Sequence, residues 1–209
     1  QGGPRRYVER FSVDDHPVIS DAIRAACERV DDIEFVSGFS SLDSVPSPFR
    51  SPEHVDVVVL DLSLAGTRGL AAVESVAAWG VKIVVFSATA QALVAQDALD
   101  RGADGFVNKA MSTEHALDAV RAVWRGERPM VGVDPLPDAV RRLTTAQRHL
   151  LRSMCAHGTR SAALAGAMGV RPATIDNMVN DLFNELGLTG NDRTREALVR
   201  WAVEIGFEV

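Results

Sequence analysis

Five polar residues at the ends of β-type runs have side chains that could together handle a phosphoryl group. They are Asp14, Asp15, Asp61, Ser87 and Lys109. Three carboxylates meeting at one point repel each other unless a cation is shared between them. Mg²⁺ suits such a site because it prefers a few carboxylates, water and phosphate oxygens. A lysine and a hydroxyl beside it would position a phosphoryl group, and a carboxylate nucleophile at Asp61 predicts a transient aspartyl phosphate.

These side chains can meet only if the runs that precede them are neighbouring strands. The β-type runs are 7–13, 33–38, 55–62, 82–88 and 105–109, and the helical patterns are 17–30, 68–79, 91–101 and 112–125. The run VDVVVLDL at 55–62 is apolar on both faces, as a central parallel strand should be. The alternation predicts an α/β domain with a doubly wound, five-stranded parallel sheet and a site at the strands' carboxyl ends. The proline-bearing segment 40–54 predicts only a short or irregular helix before the third strand.

A domain boundary is predicted where composition changes. The stretch GERPMVGVDPLP at 126–137 has three prolines and two glycines in twelve residues. Helical patterns at 144–156, 160–168, 172–186 and 193–205 follow it. We therefore expect a first domain at 5–125, a linker at 126–139 and an all-α, four-helix domain at 140–209.

Composition restricts the function classes. Hydrophobic residues make up 46% of the chain and charged residues 24%, as in an ordinary globular protein. No apolar run is long enough to span a membrane, so we expect no membrane association and a cytoplasmic location, with Cys27 and Cys155 as buried, reduced thiols. Residues 1–133 hold 13 basic and 19 acidic residues, whereas residues 141–209 hold 9 and 7, which suggests different roles. No GxxxxGK[ST] loop or evident general acid or base is present, so we expect no enzyme and disfavour a Mg²⁺-dependent phosphotransferase.

The strand-end motifs resemble the receiver domains of two-component response regulators. The motifs are VDDHP, VVVLDLSLAGTRGL, VVFSA and GADGFVNKA, and the likeness covers residues 5–125. The resemblance implies that Asp61 is the phosphoacceptor, that Asp14, Asp15 and Asp61 hold Mg²⁺, and that Lys109 is the family's invariant lysine. Leu64-Ala65 replaces the usual Met-Pro after the acceptor.

A conformational switch is also implied by this resemblance. A histidine kinase or a small phosphodonor would transfer a phosphoryl group to Asp61, and the new charge would draw Ser87 and Lys109 inward. Phe106 lies where receivers carry a switch aromatic and would follow. The surface formed by 91–101, 105–109 and 112–125 would then change.

The second domain resembles the LuxR-type helix-turn-helix domain of NarL/FixJ response regulators. The likeness runs from LTTAQRHLLRSM to LFNELGL, and it makes 172–186 the recognition helix by position. It implies DNA binding and a homodimer, favoured by phosphorylation, with Trp201 on a dimer face or in the core. Asp176 stands where the family usually has lysine, and Glu185 replaces a later basic residue.

The sequence leaves two interpretations of this helix open. DNA contacts are expected from Arg160, Arg171, Thr174, Asn177, Asn180 and Arg193. Asparagines can contact adenine edges while arginines hold the phosphate backbone. Arg195 is a further candidate for a backbone contact. In the alternative, Asp176 and Asp181 weaken DNA binding by repulsion, and the protein is an atypical regulator that acts through a protein partner.

Overall fold

The chain divides into two compact units, residues 1–134 and residues 135–209. A computed structural model of the protein describes residues 8–14, 17–63 and 69–207, with side chains from residue 12 onward. The boundary between the units falls inside the segment that composition marks as a linker.

The first unit is a parallel sheet with helices between its strands. The strands are β1 (Val8–Val13), β2 (Ile33–Phe39), β3 (Val57–Leu60), β4 (Lys82–Ser87), β5 (Gly105–Asn108) and β6 (Met130–Val131), in the spatial order β2-β1-β3-β4-β5-β6. The helices are α1 (Pro17–Cys27), α2 (Leu70–Ala77), α3 (Ala92–Asp100) and α4 (Thr113–Trp124). The predicted α/β fold is confirmed, but the sheet has six strands rather than five.

Alternating residues of the central strands fill two hydrophobic cores, one on each face of the sheet. Val58 and Leu60 of β3 pack on the face that also holds Phe106 of β5. Val57 and Val59 pack on the opposite face. Because successive side chains of a strand point to opposite faces, the uninterrupted apolar run of β3 is what a doubly covered sheet requires.

The segment between β2 and β3 is irregular, as its prolines predict. In residues 40–56, only Ser47–Phe49 forms a short 3₁₀ helix. The Arg50 side chain holds this segment by donating to the carbonyl oxygens of Val45 at 3.0 Å and Leu42 at 3.1 Å. Its guanidinium also lies 5.4 Å from the centre of the Trp79 ring.

The sixth strand is formed by residues of the predicted linker. The Phe106 amide donates to the Pro129 carbonyl at 2.8 Å, and the ladder continues by pairing Val107 with Val131. Without this segment β5 would be an edge strand with unpaired backbone groups. Arg128 donates to the Leu99 carbonyl at 2.8 Å, which attaches the start of the segment to the end of α3.

The second unit is all-α, as predicted. Its helices are α5 (Asp138–Arg142), α6 (Thr145–His157), α7 (Ser161–Met168), α8 (Pro172–Glu185) and α9 (Arg195–Ile205). Four correspond to the predicted helices, and the short α5 is additional. Ile175, Val179 and Leu182 of α8 are buried, so the predicted apolar stripe of this helix is confirmed.

Two further expectations concern thiols and membranes. Cys27 is buried and Cys155 partly buried, and no disulfide joins these two thiols. Over the described ranges, the helices are too short and too polar to cross a bilayer.

Candidate functional site

Backbone hydrogen bonds between the strands place three of the predicted site residues at one edge of the sheet, namely Asp61, Ser87 and Lys109. The Asp61 amide donates to the Val13 carbonyl at 2.9 Å, so Asp61 continues β3 beside the end of β1. The Lys109 amide donates to the Ser87 carbonyl at 2.7 Å, which continues β5 beside β4. Because all these strands are parallel, their last residues emerge together at the carboxyl edge.

Lys109 bridges two buried carboxylates. Its Nζ lies 2.7 Å from Asp14 Oδ2 and 2.9 Å from Asp61 Oδ2. The side chains of Lys109, Asp14 and Asp61 are 14%, 4% and 1% exposed. Two like charges buried side by side are tolerated because the ammonium compensates them.

The two oxygens of Asp61 have different surroundings. Oδ1 accepts a hydrogen bond from the Ser63 amide at 3.1 Å. Oδ2 is buried and accepts no hydrogen bond from the residues that the structure describes, although the Lys109 ammonium lies 2.9 Å from it. We regard that contact as charge neutralisation rather than a formed hydrogen bond, so Oδ2 keeps lone pairs for a cation or an electrophile.

The donor set fits a magnesium ion. Asp14 and Asp61 supply two carboxylates close to the same ammonium, and no described residue donates a hydrogen bond to Asp61 Oδ2. Mg²⁺ is commonly held by one or two carboxylates with water completing its shell. Asp15, the third predicted ligand, lies outside the described residues. Among those that are described, no three His, Cys, Asp or Glu side chains form a metal-binding group.

Ser87 and Phe106 are both buried in this structure. Ser87 ends β4, and its Oγ is at the limiting distance of 3.5 Å from the Thr89 amide. Among the described residues, the Ser87 hydroxyl makes no hydrogen bond to Asp61 or to the Lys109 ammonium. Phe106 is fully buried, and its backbone pairs with Met130 of β6. The predicted switch aromatic therefore lies directly beside the strand that follows α4.

In the second unit, Asp176 is paired within the protein. Its Oδ1 accepts from Ser161 Oγ at 2.6 Å and from Arg195 Nη2 at 2.5 Å. The hydrogen bond from Ser161 and the ion pair with Arg195 hold the pKa of this carboxyl below its ordinary value. Glu185 is similarly 3.2 Å from Arg142. Two of the three acids on this helix, Asp176 and Glu185, are thus paired with arginines of the same unit.

Arg193 contacts side chains of α8. It donates to Asn184 Oδ1 at 3.1 Å, and its second nitrogen lies 3.5 Å from Asn180 Oδ1. The guanidinium also lies 5.0 Å from the centre of the Phe183 ring. With its oxygen facing Arg193, Asn180 presents its NH₂ group as the less engaged half of the amide.

The other predicted DNA contacts are exposed. Arg160 and Arg171 precede the first turns of α7 and α8, and Thr174 and Asn177 lie on the outer side of α8. Trp201 is partly buried, and its ring centre lies 6.2 Å from that of Phe207. Trp201 therefore contributes to packing at the end of α9 and is not fully covered.

Two residues of these sites carry signals that sequence reasoning missed. The Ser63 amide contact with Asp61 is an Asx-type turn, for which an aspartate two residues earlier is the usual signal. The pairing of Asp176 with Arg195 joins residues 19 apart on separate helices. Opposite charge was visible in the sequence, but no local pattern predicts that contact.

Residues 11–121 match the response regulator receiver domain family. The chain belongs to that family. It is 25% identical over 179 residues to the transcriptional regulatory protein DesR of Bacillus subtilis, covering 84% of this chain and 88% of that protein. A LuxR-family two-component response regulator from Aurantimonas is 26% identical, with a TM-score of 0.52, over 59% of this chain and 89% of that one. RcsB of Salmonella enterica serovar Typhimurium, bound to promoter rprA, shares 19% identity and the fold, with a TM-score of 0.53 over 93% of this chain and 97% of that one.

The resemblance to NarL/FixJ response regulators is confirmed. The similarity to DesR and to the RcsB structure is not restricted to residues 11–121 but extends into the helical unit. The matched range 11–121 includes Asp14, Asp61 and Lys109.

Proposed function

We propose that this protein is a response regulator that takes a phosphoryl group on Asp61 from a histidine kinase and thereby controls transcription. One observation carries the proposal: Lys109 lies between Asp14 and Asp61 at the carboxyl edge of the sheet. A structural ion pair would need only one carboxylate. A second carboxylate, whose Oδ2 accepts no hydrogen bond from the described part of the chain, is suited to act as a phosphoacceptor.

The chemistry follows from the surroundings of Asp61. Its carboxylate oxygen attacks the phosphorus of a phosphohistidine or a small acyl phosphate, and the bond to the donor breaks as the new P–O bond forms. Lys109 would neutralise charge on the phosphoryl oxygens, and Ser87, at the end of the neighbouring strand, would donate to one of them. The Ser63 amide holds the other Asp61 oxygen in place.

Asp14 and Asp61, together with Asp15, would hold Mg²⁺ beside this oxygen. When bound, the ion would supply positive charge that the carboxylates and the phosphoryl oxygens share. The protein's own contribution is to hold the carboxyl groups of Asp14 and Asp61 close to one ammonium at the edge of the sheet.

Labelling from a radioactive small phosphodonor tests the acceptor assignment. Wild type should take up at most one phosphoryl group per chain, and Asp61→Asn should take up none. Asp43→Asn removes an exposed carboxylate from the irregular segment between β2 and β3. It is the matched control and should label like wild type. Labelling retained by D61N would refute the assignment. Release of many equivalents of product from a small phosphorylated substrate would instead favour the phosphotransferase interpretation.

The second unit is proposed to bind DNA through α8. DesR is a transcriptional regulatory protein, and the RcsB structure holds promoter DNA. Here Arg171 precedes α8, Thr174 and Asn177 are exposed in its first turns, and Arg160 immediately precedes the neighbouring α7. Because arginines fix the backbone and asparagines contact base edges, this surface has the side chains that duplex recognition needs.

The alternative, action through a protein partner, is favoured by one observation. Helix α8 carries no Lys or Arg, and Asp181 is exposed with no ion pair to any described residue. The salt dependence of binding to a duplex selected by the intact protein from a random pool separates the two. Arg171→Gln should lower the salt slope by about one unit. Arg142→Gln, whose guanidinium pairs with Glu185, should leave the slope unchanged. No affinity even at low salt would establish the partner-dependent alternative.

A homodimer, favoured by phosphorylation, and a cytoplasmic location belong to the same proposal. Val203 of α9 is 59% exposed and Trp201 is partly so, which leaves apolar surface on this helix for a second copy. Sedimentation with and without a phosphodonor measures it. Trp201→Ala should shift the equilibrium toward monomer, and Val18→Ala, at an exposed apolar residue of α1, is the control.

A further inference from the structure

Asp176 lies where three helices of the second unit begin. Its Oδ1 accepts from Ser161, the first residue of α7, and from Arg195, the first residue of α9. Arg195 also donates through Nη1 to the Thr159 carbonyl at 2.5 Å, just before α7. One carboxylate on the first half of α8 thus connects α8 to the starts of two neighbouring helices.

This pairing changes what the charge of Asp176 can do. The carboxylate is 55% exposed, but a guanidinium lies in direct contact with it. Asp181, five residues later on the same helix, is exposed and has no ion pair within the described ranges. An unpaired acid repels a phosphate backbone, whereas a paired acid presents a much smaller field.

The residues held by the contact adjoin the proposed DNA contacts. Arg160 immediately precedes Ser161, and Asn177 immediately follows Asp176. Fixing Ser161 against Asp176 therefore fixes the direction of Arg160 relative to the outer side of α8. Recognition of a duplex needs both groups in one register, since phosphate contacts set the position from which base edges are contacted.

We propose that Asp176 is a positioning residue for DNA recognition, with Arg195 as its internal partner rather than a phosphate contact. The proposal rests on the DNA-binding function proposed above. It implies that removal of a negative charge at this one position weakens DNA binding, which is the opposite of what simple charge repulsion requires.

A comparison of two isosteric substitutions in the intact protein tests this sign. The probe is a duplex selected by wild type from a random pool, measured across several salt concentrations. Asp176→Asn should weaken binding about fivefold, since an exposed ion pair contributes up to roughly 1 kcal/mol. Asp181→Asn, the matched control, should strengthen binding about twofold because it only removes repulsion. Circular dichroism should show both variants folded, because neither side chain is in a core.

Each result decides the matter. If D176N strengthens binding as D181N does, or leaves it unchanged, the positioning role is wrong while DNA binding stands. If wild type binds no duplex at low salt, the DNA-binding function itself fails, and the positioning role fails with it. Arg195→Gln alone and combined with D176N gives a second readout. If the two residues act together, the double variant should bind about as weakly as either single variant.

Discussion

At the scale of single residues, Lys109 supplies the positive charge that lies between the buried carboxyl groups of Asp14 and Asp61. The chain has two lysines, and they differ sharply in surroundings. Lys109 is 14% exposed between two buried carboxylates, whereas Lys82 is 39% exposed and lies 3.5 Å from Asp104. The same residue type therefore provides both a test and its control.

We expect Lys109→Gln to lower the free energy of unfolding by about 3 kcal/mol or more, because it leaves two buried carboxylates uncompensated. Lys82→Gln should cost less than about 1 kcal/mol, as for other exposed pairs. Urea unfolding at neutral pH measures both. Equal stability of the two variants would mean that Lys109 does not compensate the charge of the buried carboxylates.

Magnesium provides a second residue-scale prediction. Mg²⁺ at ten times its dissociation constant should add about 1.4 kcal/mol to the stability of wild type. Asp14→Asn should remove that gain because it deletes one of the two described carboxylate ligands. Asp43→Asn should retain it. A gain that persists in D14N would place the ion elsewhere.

The side chains that meet at the edge of the sheet could be predicted because each follows a strand of a recognisable parallel pattern. The ion-pair partners of these side chains could not be predicted. Which carboxylates Lys109 bridges, and that Arg195 pairs with Asp176, depend on tertiary distances that no spacing encodes.

At the scale of elements, β6 shows what local sequence leaves open. Two residues between Pro129 and Gly132 are too few for a strand signal, and prolines nearby indicate a linker. The strand forms because β5 would otherwise expose its backbone edge and because Met130 and Val133 can pack on the core that holds Phe106. By contrast, β3 was predictable because a strand that is buried on both faces consists of consecutive apolar residues.

Gly132, directly after β6, allows the backbone to pass close to Met111 and Asn108. Gly132 has φ of +67°, and a Cβ there would lie 2.6 Å from Met111 Cγ. Gly126 also has positive φ, +87°, but a Cβ there would meet nothing within 4 Å. Gly126→Ala should cost about 1 kcal/mol for backbone strain alone.

Gly132→Ala should cost about 1–3 kcal/mol more than Gly126→Ala, because overpacking adds to the same strain. Hydrogen exchange of the β5 amides in the intact chain measures the difference. Equal protection of these amides in both variants would mean that β6 does not stabilise the β5 edge.

At the scale of the whole molecule, the chain joins an acidic receiver unit to an arginine-bearing helical unit. The two-unit organisation and the fold of each were predictable from periodicity and composition. The behaviour of α8 was not, because the effect of its acids depends on which of them are paired. Asp176 forms an ion pair with Arg195, whereas Asp181 on the same helix forms none with the residues that the structure describes.

Phosphorylation of Asp61 in the first unit is proposed to control DNA binding by the second. Affinity of the intact protein for its selected duplex, with and without a small phosphodonor and Mg²⁺, tests it most directly. We expect the phosphodonor to tighten binding of wild type at least about fivefold, the lower end of ordinary coupling between sites. It should leave Asp61→Asn unchanged. An identical response in D61N, or no response in a wild-type protein shown to be labelled, would contradict the claim.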